Sequence, residues 1–67
     1  MKWIPINALG MSLAVCRRPD KRPVYVWTSG GLWYGARGEE EPDVRTETET
    51  LGTERDAARR LALRVFG

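Results

Sequence analysis

The stretch VYVWTSGGLWYGAR, Val24 to Arg37, decides the fold. Two runs rich in β-branched and aromatic residues flank Ser29-Gly30-Gly31. Glycine supplies the positive φ that tight hairpin turns need, so the runs read as two antiparallel strands. A Gly30-Gly31 turn pairs Thr28 with Trp33 and Trp27 with Tyr34, whereas a Ser29-Gly30 turn pairs Trp27 with Leu32 and Val26 with Trp33. The two registers differ by a whole pleat and leave the faces unchanged. One face carries Tyr25, Trp27, Leu32, Tyr34 and Ala36; the other carries Val24, Val26, Thr28 and Trp33. Neither face is polar, so each needs a cover.

Outward from the hairpin, RRPDKRP (Arg17 to Pro23) reads as a turn, since two prolines and four bases do not suit a buried ladder. Upstream, Met1 to Ile6 and Leu13 to Arg17 form either two short strands or one strand preceded by coil. Downstream, GEEEPD is a solvated loop, and Val44 to Thr50 alternates Thr with charge, as a strand with one charged face does. Gly52 ends that strand, and Thr53-Glu54-Arg55-Asp56 resembles a capping box. At 100° per residue, Ala57, Leu61, Ala58, Val65 and Ala62 make one narrow apolar stripe on the helix that follows.

The expected fold is α+β, one domain over 1–67. A small antiparallel sheet of three to four strands (near 11–17, 23–28, 32–37 and 44–50) carries one C-terminal helix, 53–66, packed on one face. The helix is expected on the Val24, Val26, Trp33 face, leaving the tyrosines at least partly exposed. The opposite face is left to the N-terminal segment with Trp3, Ile4 and Ile6, or to another protein.

Composition removes most chemistry. A chain of 67 residues is near the lower size for folding unaided and buries only about 60% of its extended surface. A single cysteine allows no internal disulfide, and the absence of histidine removes the commonest general acid/base and the usual zinc spacings. Cys16, between Leu13-Ala14-Val15 and two arginines, reads as an inert core thiol. Ser-Gly-Gly lacks the Lys-Ser/Thr of a phosphate loop and precedes a strand, and Glu39 to Glu41 lack calcium-loop spacing. The expectation is a non-enzymatic protein with no cofactor and no bound metal. No apolar run approaches the roughly 20 residues of a membrane span. Pro5 and Asn7 interrupt the only leader-like stretch, so the expected location is the cytoplasm.

Charge is mild in sum, +2, but polarised along the chain. Six of the nine acids (Glu39, Glu40, Glu41, Asp43, Glu47, Glu49) lie within eleven residues. Bases gather at Arg17, Arg18, Lys21 and Arg22, and again at Arg55, Arg59, Arg60 and Arg64. The helix arginines bracket the apolar stripe, where their stems cover a core edge. Three readings follow. The leading one is a protein-binding module whose partner is a protein or ribonucleoprotein complex. Its anchors are Tyr25, Trp27 and Tyr34, with Glu39, Glu40, Glu41 and Asp43 steering the encounter. The second is a small nucleic-acid-binding protein using Arg17, Arg18, Lys21 and Arg22 with stacking tyrosines. The third is a structural subunit, such as a homodimer, that buries the second hairpin face against itself.

The succession VYVWTSGGLWY, VRTETET and TERDAARRLALRVF resembles the small sheet-and-helix proteins encoded by bacteriophages and mobile elements, anti-CRISPR proteins among them. The resemblance runs from Val24 to Phe66 and is one of layout, with no motif residue to carry over. It implies an inhibitor of a bacterial nucleic-acid-targeting complex.

Overall fold

Gly30 and Gly31 take φ of 60° and 80°, the positive pair a two-residue hairpin turn demands. In the computed structural model of the protein, which describes residues 2–8, 11–38 and 50–67 (backbone only at 7, 8 and 11), the hairpin closes with Ser29 opposite Leu32. Thr28 then faces Trp33 and Trp27 faces Tyr34, the Gly30-Gly31 register. Gly38 N–H donates to the Pro23 carbonyl at 3.2 Å and closes the open end.

The fold is α+β: the described residues form a four-stranded antiparallel meander with one C-terminal helix. The strands β1 (Trp3–Ala8), β2 (Met11–Cys16), β3 (Val24–Ser29) and β4 (Leu32–Arg37) lie in chain order, followed by α1 (Arg55–Val65). The N-terminal segment is thus a strand at the sheet edge and not a cover. Pro5 is tolerated there because β1 pairs only with β2, leaving one side of its backbone outside the ladder. The expected strand at 44–50 lies outside the described residues except for Thr50, which bridges to Tyr34.

Strand pairing sorts the side chains into rows across the sheet. Trp3, Cys16, Val24 and Arg37 form one row, and Pro5, Ala14, Val26 and Gly35 another, both on the same face. Ile4, Val15, Tyr25 and Ala36, then Ile6, Leu13, Trp27 and Tyr34, occupy the opposite face. The helix takes the Val24, Val26, Trp33 face. Ala58 and Ala62 are fully buried against Val24, Val26 and Leu51, with Trp3, Trp33, Leu63 and Phe66 packed around them.

Two helix expectations need correction. The buried arc is Ala58, Ala62, Leu63 and Phe66, while Leu61 is 38% exposed and Val65 61%. The helix is turned so that the larger Phe66 goes inward in place of Val65. Gly35 makes this possible: a Cβ there would stand 2.8 Å from Leu51 Cδ1 and 2.9 Å from Phe66 Cε2. The helix also begins at Arg55, with Glu54 as N-cap and no side-chain cap bond, so no capping box forms. Asp56 still lies in the first turn, where the helix dipole favours an acid.

The entry to α1 is tied to β4. Leu51 N–H donates to the Trp33 carbonyl at 2.6 Å, and Trp33 N–H donates to the Gly52 carbonyl at 2.8 Å. Leu51, 8% exposed, is held over Gly35 by these bonds. Gly35→Ala should therefore lower stability by about 1–3 kcal/mol, as overpacking of a closed site does. Urea denaturation measures this, and an unchanged midpoint would contradict the close approach.

Candidate functional site

The helix packs chiefly on β3 and β4 and reaches β1 through Trp3. Beside the first turns of α1, Pro5 and Ser12 on the same face of β1 and β2 stay exposed, while Ala14 and Cys16 are buried. An open groove of about 690 Å³ runs there. Pro5, Ser12 and Ala14 supply its floor, Thr28 and Trp33 of the hairpin one end, and Arg55 and Arg59 of the helix its wall. Strand alternation puts these five residues on the helix side, while Ile6 and Leu13 of the opposite face also reach the groove.

The two arginines are held differently. The Arg59 guanidinium stands 5.5 Å from the centre of the Trp3 ring, within cation–π range. Its Nε is shielded from solvent with no hydrogen-bond partner among the described residues. Arg55 Nε donates to Asp56 Oδ1 at 3.2 Å, and both side chains are well exposed. Exposed pairs of this kind contribute about 0–1 kcal/mol, so Arg55 is available to another anion. Thr28 Oγ1 donates to the Leu32 carbonyl at 2.9 Å and keeps its lone pairs for a donor.

A second basic cleft, about 310 Å³, lies at the far end of α1 and is lined by Arg18, Asp20, Lys21, Arg22, Arg37 and Gly67. The Pro19-Asp20 turn builds it. Lys21 N–H donates to the Arg18 carbonyl at 3.3 Å, and Asp20 takes φ 59°. Aspartate tolerates this left-handed conformation better than most residues. Arg37 arrives from the end of β4, in the row of Cys16 and Val24. Arg18 lies against Gly67, and its Nε, like that of Arg59, is buried without an acceptor among the described residues. Each basic cleft thus presents one unmet guanidinium donor, a feature that calls for an acceptor.

Charge separates along the chain more sharply than its sum suggests. Ten of the eleven Lys/Arg but only three of the nine Asp/Glu are described residues, a formal +7. Positions 39–49 hold the other six acids and Arg45, a formal −5. Eight of the ten described bases are exposed; the half-buried exceptions are Arg18 and Arg59, one in each cleft.

The structure distributes the expected site residues unevenly. Arg18, Lys21 and Arg22 come together, with Arg17 exposed beside them. Tyr25 is 1% exposed and Trp27 5%, which corrects the expectation of partial exposure for Tyr25 and of Trp27 as an anchor. Both sit on central strand β3, flanked by Val15 and Leu13 on one side and by Ala36 and Tyr34 on the other. Tyr34 is half-buried and stacks on Trp27 with ring centres 6.2 Å apart. Glu39, Glu40, Glu41 and Asp43 lie outside the described residues. Sequence reasoning missed Trp33, Arg37, Arg55 and Arg59 as site residues. For Trp33 and Arg37 strand parity was an available signal.

Among the described residues no group of three or more His, Cys, Asp or Glu could hold a metal ion. No helix among the described residues is long and apolar enough to cross a membrane. The Cys16 side chain is fully buried under the helix-bearing layer. Its thiol should react with Ellman's reagent only after unfolding in denaturant. Rapid reaction of the native protein would contradict this placement.

Comparison of the chain with protein-family models, with curated proteins and with solved structures gives no match.

Proposed function

We propose that this chain is a non-enzymatic nucleic-acid-binding module that uses the helix-bearing side of its sheet. One observation carries the reading: six of the described bases, Arg55 and Arg59 in one cleft and Arg18, Lys21, Arg22 and Arg37 in the other, line two clefts on that side. Clustered arginine and lysine form the electrostatic footprint of a phosphate-binding surface. Guanidinium groups suit it further, because their fork of donors matches the oxygens of a phosphate.

The protein-binding alternative, an inhibitor of a nucleic-acid-targeting complex, draws on the hairpin aromatics and on the acids at 39–43. With Tyr25 and Trp27 buried, its two strongest anchors present almost no surface, and the basic clefts become the better-supported site. The stacking group moves as well, from the tyrosines to Trp33.

The test is an affinity measurement against salt with a labelled 20-residue oligonucleotide. Four to six phosphate contacts give a slope of log K on log salt of about −3 to −4 for single strands. Lys21→Ala, Arg22→Ala and Arg37→Ala together, all at exposed positions, should make that slope shallower by about 2. Affinity that ignores salt, or a triple variant that binds as well as the parent, would refute the reading.

A further inference from the structure

Resting on that reading, we infer that the groove between α1 and the β1–β2 face receives an unpaired base of single-stranded nucleic acid, stacked on Trp33, while Arg55 and Arg59 take the neighbouring phosphates. The two clefts differ in what they offer. The one at Arg18, Lys21 and Arg37 has basic and acidic side chains and no aromatic wall, so it reads phosphate only. The groove adds a tryptophan, the hydroxyls of Ser12 and Thr28 and an apolar floor of Pro5 and Ala14. Its volume, about 690 Å³, lies within the range of small-ligand pockets.

An aromatic wall beside bases is the arrangement that holds single strands, because every base has a face to stack and every linkage a phosphate to pair. A duplex keeps its bases inside the stack and would not deliver one to a recess between helix and sheet. An acidic peptide without aromatic residues, such as oligoglutamate, would match the charge but carries no ring to stack on the indole. The two clefts also lie near opposite ends of α1, from Arg55 to Gly67, a separation of about 18 Å at 1.5 Å per residue. That spacing suits a run of phosphates along an extended strand and not a single anion. Few groups in the groove reach a base edge, so binding should tolerate any sequence.

The experiment compares three equally labelled ligands at low salt: decathymidylate, a ten-residue abasic deoxyribose-phosphate chain, and a ten-base-pair duplex. The protein should bind decathymidylate roughly 5- to 150-fold more tightly than the abasic chain, the range one base–aromatic stack supports. Trp33→Leu should bring the two affinities together while leaving the duplex affinity unchanged. If that variant melts too low to assay, Ser12→Ile does the same by filling the recess from an exposed floor position. Equal affinity of the parent for the decathymidylate and the abasic chain overturns the inference and leaves the phosphate-binding reading standing. No binding of any of the three, with tight binding of an oligoglutamate, overturns both.

Discussion

The contact on which the rest of this structure depends is the backbone of Gly35 against Phe66 and Leu51. A side chain of any size at 35 would meet both within 3 Å. Its absence lets α1 settle with Ala58 and Ala62 directly on Val24 and Val26. Small residues on the helix and a hole in the strand set one short interlayer distance between them. The two backbone bonds at Trp33 hold Leu51 in place and deliver the chain to the start of α1. In a domain of this size each fully buried aliphatic side chain contributes about 1.5–3 kcal/mol, so this layer is a large share of what keeps the fold together.

The same contact fixes where the helix does not go. Drawn onto β3 and β4, α1 leaves Pro5 and Ser12 of the same sheet face exposed, and Arg55 and Arg59 border the gap. The groove is therefore a by-product of the packing that stabilises the molecule. Its walls come from two elements, the hairpin and the helix. Trp33 belongs to both parts: its backbone anchors the entry to α1 and its side chain lines the groove.

Local chemistry made the hairpin legible. Two glycines marked its turn, though two registers stayed open, and parity then sorted both faces; with neither face polar, parity could not choose the side on which the helix lies. The RRPDKRP turn was readable for the same reason, from Pro19 and Asp20. Features set by tertiary packing were not. The WIPINA run became a full strand because an edge position tolerates Pro5, and nothing local marks an edge. The helix turned Phe66 inward because Gly35 made room for it, and a helical wheel holds no information about holes in a sheet. Parity assigned Tyr25 to its face correctly, but depth depends on neighbouring strands, and the central place of β3 buried it. The basic turn was visible in sequence; its completion by Arg37, and the opposite groove with Arg55 and Arg59, required the strands to be assembled.

The central claim is that ligand binds on the helix-bearing side and uses both clefts. Amide and indole NMR shifts during a decathymidylate titration test it most directly. The account predicts the largest changes at Ser12, Ala14, Thr28, Trp33 and Arg59 and at Arg18, Lys21, Arg22 and Arg37. Ile4, Tyr34 and Ala36, on the opposite face, should move little. Changes centred on that opposite face would contradict the account.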